Sequence, residues 1–204
     1  MNKTIFFTLL LISIPSILLG DENRSKSILL VIDMQKDLLT PGKSGMKMDS
    51  IEIDLLLQNV NKNISIADSL SIPVAYIQNV WTNPLWIFFG GNVCRKGDKE
   101  TDFDKRLIRI NSKVYEKSVP NSFSNRELEE FIEKNNYKNI FICGIKIEAC
   151  VGSTAKNSLK KGYNTYLIGP AIGTNTISEL SSRINKIVKM GAKNINEIKE
   201  YDTP

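Results

Sequence analysis

Three reactive side chains lie where the sequence predicts the ends of strands buried in a sheet. Asp33 lies at the end of the aliphatic run of residues 28–34, Lys117 ends a short strand, and Cys150 begins a helix after the strand of residues 139–144. A thiol, a carboxylate and an ammonium group suit nucleophilic catalysis, in which the sulfur attacks a carbonyl carbon and the carboxylate moves a proton. These positions therefore predict a cysteine-dependent catalytic site.

The predicted surroundings of Cys150 favour its ionised form. A helix N-terminus and a nearby lysine both provide positive potential, so we expect the pKa of the thiol to be lowered. The Asp33 carboxylate, in a partly desolvated cleft, would accept the thiol proton and return it to a leaving amine. Each residue also has a structural interpretation: Asp33 as a cap, Lys117 as a surface lysine and Cys150 as a small core residue. Their joint placement favours catalysis.

The chain contains no histidine, and this excludes several common kinds of site. Triads that use histidine, histidine general acids and imidazole metal ligands are all ruled out. With 204 residues, 42% of them hydrophobic and 24% charged, the chain has the composition of one globular domain. Disorder, collagen, a multi-span membrane protein and a long coiled coil are therefore excluded.

The first twenty residues resemble a secretory signal peptide, because one Lys precedes an apolar run that gives way to the polar stretch DENRSKS. A cleaved signal is favoured over an uncleaved anchor or a buried N-terminal helix, which leaves residues 21–204 as the domain. We expect a secreted or periplasmic protein, anchored in the membrane only if the signal is not cleaved. Removal of residues 1–20 lowers the net charge from +5 to +4. Because the basic residues are scattered, we expect no nucleic-acid partner and no membrane contact after cleavage.

Strand and helix signals alternate along the chain. This alternation predicts an α/β fold, with helices covering both faces of a parallel sheet. A capping box at residues 124–127 predicts the start of one helix. The ligand site of such a sheet lies at the carboxyl ends of its strands. Strands are predicted at residues 28–34, 74–80, 114–117, 139–144, 163–168 and 192–195, and helices at 51–70, 124–136, 150–161 and 176–190.

The segment of residues 81–103 is rich in aromatic residues and too irregular to predict a helix or strand. Long loops in compact domains often serve as lids or binding loops. Trp81 and Trp86 are candidates either for the wall of a substrate pocket or for an oligomer surface, and Phe123 has the same two interpretations. The odd number of cysteines leaves at least one thiol unpaired. We expect Cys143 to be a core residue, whereas the irregular loop that contains Cys94 leaves an exposed thiol open as an interpretation.

Three stretches together resemble the isochorismatase-like cysteine hydrolase superfamily. They are LLVIDMQKDLL with Asp33, VYEKSVPNSF with Lys117 and Phe123, and FICGIKIEACVGSTAKNSLKKGYNTYLI with Cys150. The resemblance implies a three-layer α/β/α fold with a six-stranded, mostly parallel, Rossmann-like sheet. It assigns catalytic roles to Asp33, Lys117 and Cys150. It also implies an oxyanion hole formed by the amides of Lys146 and Cys150, and a cis peptide between Lys146 and Ile147.

This chain differs from that family at several positions, and these differences limit the reactions that we expect it to catalyse. The nicotinamidases of the superfamily hold a metal through an Asp and several His after the second strand, whereas this chain has QNVWTNPLW there. We therefore expect no metal and no cofactor. Cys150 favours cleavage of an amide, ureide or carbamoyl compound through a thioester. Ile147 replaces the usual Thr, and a catalytically silent, exported binding or interaction protein is the alternative. The family implies a homo-oligomer.

Overall fold

The aliphatic runs form the strands of one sheet in the computed structural model, which describes residues 26–43, 47–110 and 113–201. The sheet has six strands in the order β3-β2-β1-β4-β5-β6, and every pairing is parallel. The predicted α/β architecture is thus confirmed. The strands are β1 Ser27–Ile32, β2 Val74–Asn79, β3 Val114–Lys117, β4 Asn139–Gly144, β5 Asn164–Ile172 and β6 Lys193–Ile195.

Strand β1 is buried along its whole length, and its side chains alternate between the two faces of the sheet. Leu29 and Val31 pack into one core cluster, whereas Leu30 and Ile32 pack into the other. This burial explains why β1 is a continuous aliphatic run rather than an alternating one.

The helices cover both faces of the sheet. Helix α1 lies on one face, where its apolar side chains join the cluster of Leu29 and Val31. Helices α3, α4 and α5 contribute to the cluster on the other face. None of the helices among the described residues is long and apolar enough to cross a membrane. The helices are α1 Ser50–Ser69, α2 Pro84–Phe89, α3 Arg126–Lys134, α4 Cys150–Lys160 and α5 Ile177–Val188.

Two local predictions were wrong. The segment predicted to be irregular contains helix α2, which Asn83 caps by accepting a hydrogen bond from the Leu85 amide. The predicted capping box at residues 124–127 does not form, because Asn125 is the N-cap of α3 and accepts from the Leu128 amide at 3.0 Å. Asn is as good an N-cap as Ser, so the two neighbouring candidates were not separable from residue type.

The order of the strands indicates which edge of the sheet is expected to bind a ligand. Successive strands run outward from β1 to β3 on one side, and the chain then returns to β4 on the other side of β1. The crevice at the carboxyl ends of β1 and β4 is therefore the topological switch point, where open α/β sheets bind ligands. The predicted signal peptide of residues 1–20 lies outside the described residues.

Candidate active site

The three predicted catalytic side chains meet at this edge of the sheet. The Lys117 ammonium donates a hydrogen bond of 2.7 Å to Oδ2 of Asp33 and lies 3.3 Å from the sulfur of Cys150. The side chains of Asp33 and Lys117 are almost completely buried, whereas Cys150 is partly exposed. Folding thus brings a carboxylate, an ammonium and a thiol into one contact cluster whose sulfur is reachable from solvent.

The backbone at the end of β1 aims Asp33 into this cluster. Asp33 has a φ of 54°, in the left-handed region that few residues other than Gly adopt. Its amide donates to the Ile77 carbonyl of β2 at 2.9 Å, and its carbonyl accepts from the Gln35 amide at 2.8 Å. These bonds hold the unusual conformation, which turns the carboxylate out of the strand and toward Lys117.

Two glycines allow Cys150 to approach the cluster. A Cβ on Gly144 would lie 2.1 Å from the Ile32 carbonyl oxygen, and a Cβ on Gly152 would lie 2.2 Å from the Ile147 carbonyl oxygen. Neither distance is compatible with a side chain. Close backbone contact at both positions therefore sets where α4 begins relative to β1 and Asp33.

The resting thiol is protonated, which corrects the predicted direction of its pKa. Burial, and after it the charge of Asp33, raise the pKa of Cys150 to about 12, although Lys117 opposes both effects. Burial also disfavours the charged form of Lys117, but the interactions of the amine with Asp33 and Cys150 outweigh burial and raise its pKa. The sequence could not reveal this, because residue types indicate the charges near a thiol and not the loss of its water.

The thiol of Cys150 can still ionise if its proton passes to Asp33 rather than to solvent. Loss of the Cys150 proton to solvent would add a second negative charge, beside that of Asp33, to a cluster whose one ammonium is that of Lys117. Transfer of the same proton to Asp33 keeps the total charge at zero, since the carboxylate is neutralised as the thiolate forms. Oδ1 of Asp33 has no hydrogen-bond partner among the described residues and is available to take the proton.

Alkylation of Cys150 tests this electrostatic account. In the unsubstituted protein, we expect its reaction with iodoacetamide to keep increasing beyond pH 10, since the pKa is raised. Asp33→Asn removes a negative charge, so the pKa must fall and labelling at pH 7 should increase about tenfold or more. Lys117→Met should have the opposite effect. Peptide mapping separates Cys150 from the buried Cys94 and Cys143.

The Cys150→Ala variant provides the background labelling of the other two thiols, which burial makes unreactive by raising the pKa of each. A thiol that titrates near pH 8.5 in the unsubstituted protein would contradict the account. So would a profile that does not change in the Asp33→Asn protein.

A cavity of about 770 Å³ opens beside the cluster. Trp81 and Trp86, for which the sequence left a pocket wall and an oligomer surface open, line this cavity, and Phe89 joins them from α2. Phe123, the third such candidate, is not among the lining residues. Its ring is buried and stacks on the ring of Tyr163 at a centroid distance of 5.8 Å. Because this contact joins distant segments of the chain, no local sequence pattern predicts it.

The cysteine predictions had mixed outcomes. Cys143 is a fully buried core residue, as predicted. Cys94 is fully buried and not exposed, because its amide donates to Asp37 and its sulfur lies 3.5 Å from the Asn79 amide nitrogen. All three cysteines are unpaired thiols. Asn79 lines the cavity from the end of β2. It was not predicted as a site residue, although its position at the end of a predicted strand could have indicated that role.

The cis peptide lies between Ile145 and Lys146, one residue before the predicted position. Neither bond precedes a proline, so residue type gave no signal for its position. Ile147 is therefore the residue after the cis peptide and not part of it. Its amide donates a hydrogen bond of 3.0 Å to the Gly173 carbonyl. Lys146 and Cys150 both line the cavity, and the role of their amides as an oxyanion hole stays a prediction.

A metal has no fitting ligand set at this site. The chain has no histidine, and the described residues contain no group of three His, Cys, Asp or Glu side chains placed to hold an ion. The expectation that the protein binds no metal therefore stays a prediction. The metal-ligating side chains of the described residues agree with it.

Comparison with known proteins agrees with the architecture. The isochorismatase domain profile matches residues 27–197. Nicotinamidase 3 of Arabidopsis thaliana is 24% identical over 162 residues, which cover 76% of each chain. The secreted isochorismatase effector Isc1 of Verticillium dahliae is 24% identical over 173 residues, which cover 84% of each chain.

The same fold occurs in solved structures. N-carbamoylsarcosine amidase from Thermoplasma acidophilum superimposes with a TM-score of 0.71 at 19% identity, over 83% of this chain and 95% of that one. At this identity the likeness concerns the fold alone.

Proposed function

This chain belongs to the isochorismatase family of hydrolases, and from that premise we propose that it cleaves the C–N bond of a small amide, ureide or carbamoyl compound through a thioester on Cys150. The observation that carries the proposal is the contact of Lys117 with both Asp33 and Cys150 beside an open cavity. Two similar proteins, a nicotinamidase and a carbamoylsarcosine amidase, bear the names of enzymes that act on amides.

The first half of the reaction acylates the enzyme. As the sulfur of Cys150 bonds to the carbonyl carbon, its proton passes to Asp33 and the carbonyl electrons move to the oxygen. Backbone amides of Lys146 and Cys150 receive the developing negative charge. Collapse of this intermediate breaks the C–N bond, and the departing nitrogen takes the proton from Asp33. The products are an amine or ammonia and a thioester.

The second half releases the acid. Asp33, again ionised, takes a proton from water as the water oxygen attacks the thioester carbon. Collapse expels the Cys150 sulfur, which recovers the proton from Asp33. Lys117 keeps its proton throughout and stabilises whichever of Asp33 and Cys150 is negative. Its raised pKa is consistent with that constant charge.

A panel of small primary amides, ureides and carbamoyl compounds tests the proposed reaction. We expect ammonia release from at least one compound, and a covalent adduct on Cys150 when a good substrate is quenched with acid during turnover. Intact mass measures the added acyl group, and peptide mapping locates it.

An adduct on Cys94 or hydrolysis without any adduct would contradict the thioester route. If no compound is hydrolysed while one of them raises the unfolding temperature, the catalytically silent binding protein is the better description.

Two further expectations join this proposal. Export through residues 1–20 is supported by their composition, and the Isc1 proteins are secreted by name. Self-association is supported by helix α2, whose Leu85, Trp86, Phe88 and Phe89 are all more than three-fifths exposed. Large exposed apolar groups of this kind are typical of contact surfaces.

A further inference from the structure

Lys117 and Cys150 come from elements that are not neighbours in the sheet. Lys117 ends β3 at one edge of the sheet, and Cys150 begins α4, which follows β4. Strands β2 and β1 lie between β3 and β4. The hydrogen bonds of the sheet therefore set the distance of 3.3 Å between the Lys117 ammonium and the Cys150 sulfur only indirectly. A direct connection between α4 and the chain after β3 would set it more closely.

A buried pair of hydroxyl groups makes this connection. Thr154 lies on α4, and Ser122 begins the short 3-10 turn of Ser122–Ser124 that follows β3. Their hydroxyl oxygens are 2.9 Å apart, and the Ser122 amide donates a second hydrogen bond of 3.0 Å to the Thr154 oxygen. Both residues are completely buried. Two hydrogen bonds to one threonine thus fasten α4 to this turn.

The same turn is also bonded to the strand that carries Lys117. The Asn125 side-chain amide donates a hydrogen bond of 2.7 Å to the Glu116 carbonyl, one residue before Lys117. The Asn125 backbone amide donates to the Ser122 carbonyl at 3.2 Å. A continuous path of hydrogen bonds therefore joins Thr154 to β3.

The place of Thr154 on α4 relates it directly to Cys150. The two residues are four positions apart, and side chains with this spacing lie on the same face of a helix. The contact of Thr154 with Ser122 therefore fixes the first turn of α4, from which the sulfur projects. Neither Thr154 nor Ser122 lines the cavity. Any influence of this pair on the chemistry would thus pass through Cys150 and Lys117, not through contact with substrate.

We propose that Thr154 is a positioning residue that holds the Cys150 sulfur within contact distance of the Lys117 ammonium. A buried hydroxyl that loses its partner is costly, so this pair has a defined geometry. Lys117 favours the thiolate form of Cys150, and a loosened contact would make the sulfur less reactive. The inference deepens the proposed function: its effect on turnover rests on that function, whereas its effect on the thiol does not.

Thr154→Val tests the inference, because valine has the shape of threonine without the hydroxyl. We expect alkylation of Cys150 by iodoacetamide at pH 8 to slow about threefold or more, which is part of the roughly tenfold effect of losing a whole hydrogen bond to a charged group. With a substrate, kcat should fall about tenfold while KM changes little, since the reacting groups and not the cavity are displaced. Thr154→Ser keeps the hydroxyl and should retain most of both rates.

Ser122→Ala is a milder second variant, because it removes one hydroxyl and keeps the amide bond to Thr154. It should slow alkylation in the same direction and by less, and it supplies the measurement if Thr154→Val does not fold. Peptide mapping locates the label on Cys150. Alkylation that is unchanged or faster in the folded variants overturns the proposal.

Thr165→Val is the matched control. The Thr165 hydroxyl donates a hydrogen bond of 2.7 Å to the Ser158 hydroxyl, and both residues are buried like the first pair. This second pair joins α4 to β5, about two helical turns beyond Cys150. Thr165→Val should lower the unfolding temperature about as much as Thr154→Val and leave alkylation unchanged. Equal slowing in both variants overturns the proposal, because it would reflect general loosening of α4.

A background without Lys117 tests the route of the effect. In the Asp33→Asn, Lys117→Met protein, the sulfur no longer has the Lys117 ammonium to approach, so adding Thr154→Val should leave alkylation unchanged. Slowing of the same size in this background overturns the role of Lys117 as the route.

The two measurements also separate this inference from the hydrolase proposal. If no compound is hydrolysed but alkylation slows in Thr154→Val and not in Thr165→Val, the positioning role stands and the hydrolase proposal fails. If compounds are hydrolysed while alkylation in Thr154→Val is unchanged, the positioning role fails alone.

Discussion

Replacement of Cys150 by alanine will abolish hydrolysis of any substrate found for this enzyme. Cys150 is the partly exposed residue that we propose as the nucleophile, its sulfur lies 3.3 Å from the Lys117 ammonium, and no other described thiol lines the cavity. Loss of a catalytic nucleophile reduces kcat on the order of 10⁴-fold or more. Ammonia release and the mass of the trapped acyl-enzyme are the measurements, and both signals should disappear.

Cys143→Ala is the matched control for this prediction. Cys143 is buried in the core cluster that packs against α1, and its sulfur contacts the Leu30 carbonyl at 3.8 Å. We expect this variant to lose some stability and to keep its activity. Substantial turnover by folded Cys150→Ala protein would refute the thioester mechanism.

Replacement of Lys117 by methionine will strongly destabilise the fold as well as inactivate the enzyme. The substitution leaves the Asp33 carboxylate buried with no ammonium to balance it, since both side chains are almost inaccessible to water. Removal of one partner of a buried ion pair costs about 3–5 kcal/mol. In a domain of this size, the midpoint of thermal unfolding should fall by roughly 6–20 °C.

The double variant Asp33→Asn, Lys117→Met separates stability from catalysis. With both charges removed, no buried ion remains uncompensated, so the unfolding temperature should recover much of the loss while activity stays absent.

Lys113→Met is the matched surface control. Lys113 pairs with Glu127 at 2.8 Å, but both side chains are largely exposed, so the unfolding midpoint should change little. Equal losses of stability in Lys113→Met and Lys117→Met would contradict the importance assigned to burial.

The positions of the reactive residues were predictable because strand ends are marked by hydrophobicity. Strand β3 was predicted with its observed bounds, and β1, which Asp33 follows, differs by one or two residues at each end. In a parallel sheet, strand ends share one edge, so predicted strands place these side chains together. The family resemblance implied the same number of strands, six, as the pattern of hydrophobic residues.

What the sequence did not predict depends on contacts between distant segments. The direction of the Cys150 pKa depends on how much water the folded chain excludes. Phe123 is buried by stacking on Tyr163, and Cys94 is buried by contacts with Asp37 and Asn79. None of these partners is adjacent in the chain, so residue type and periodicity carry no information about them.

The pairing of β1 with β4 at the middle of the sheet has a consequence for when the enzyme becomes reactive. Asp33 and Lys117 come from the amino-terminal side of this junction, and Cys150 comes from the carboxyl-terminal side. A nascent polypeptide therefore holds the Cys150 sulfhydryl before its carboxylate and ammonium partners are in place beside it. Under the proposed mechanism, chemical competence is acquired only when both halves of the polypeptide have docked.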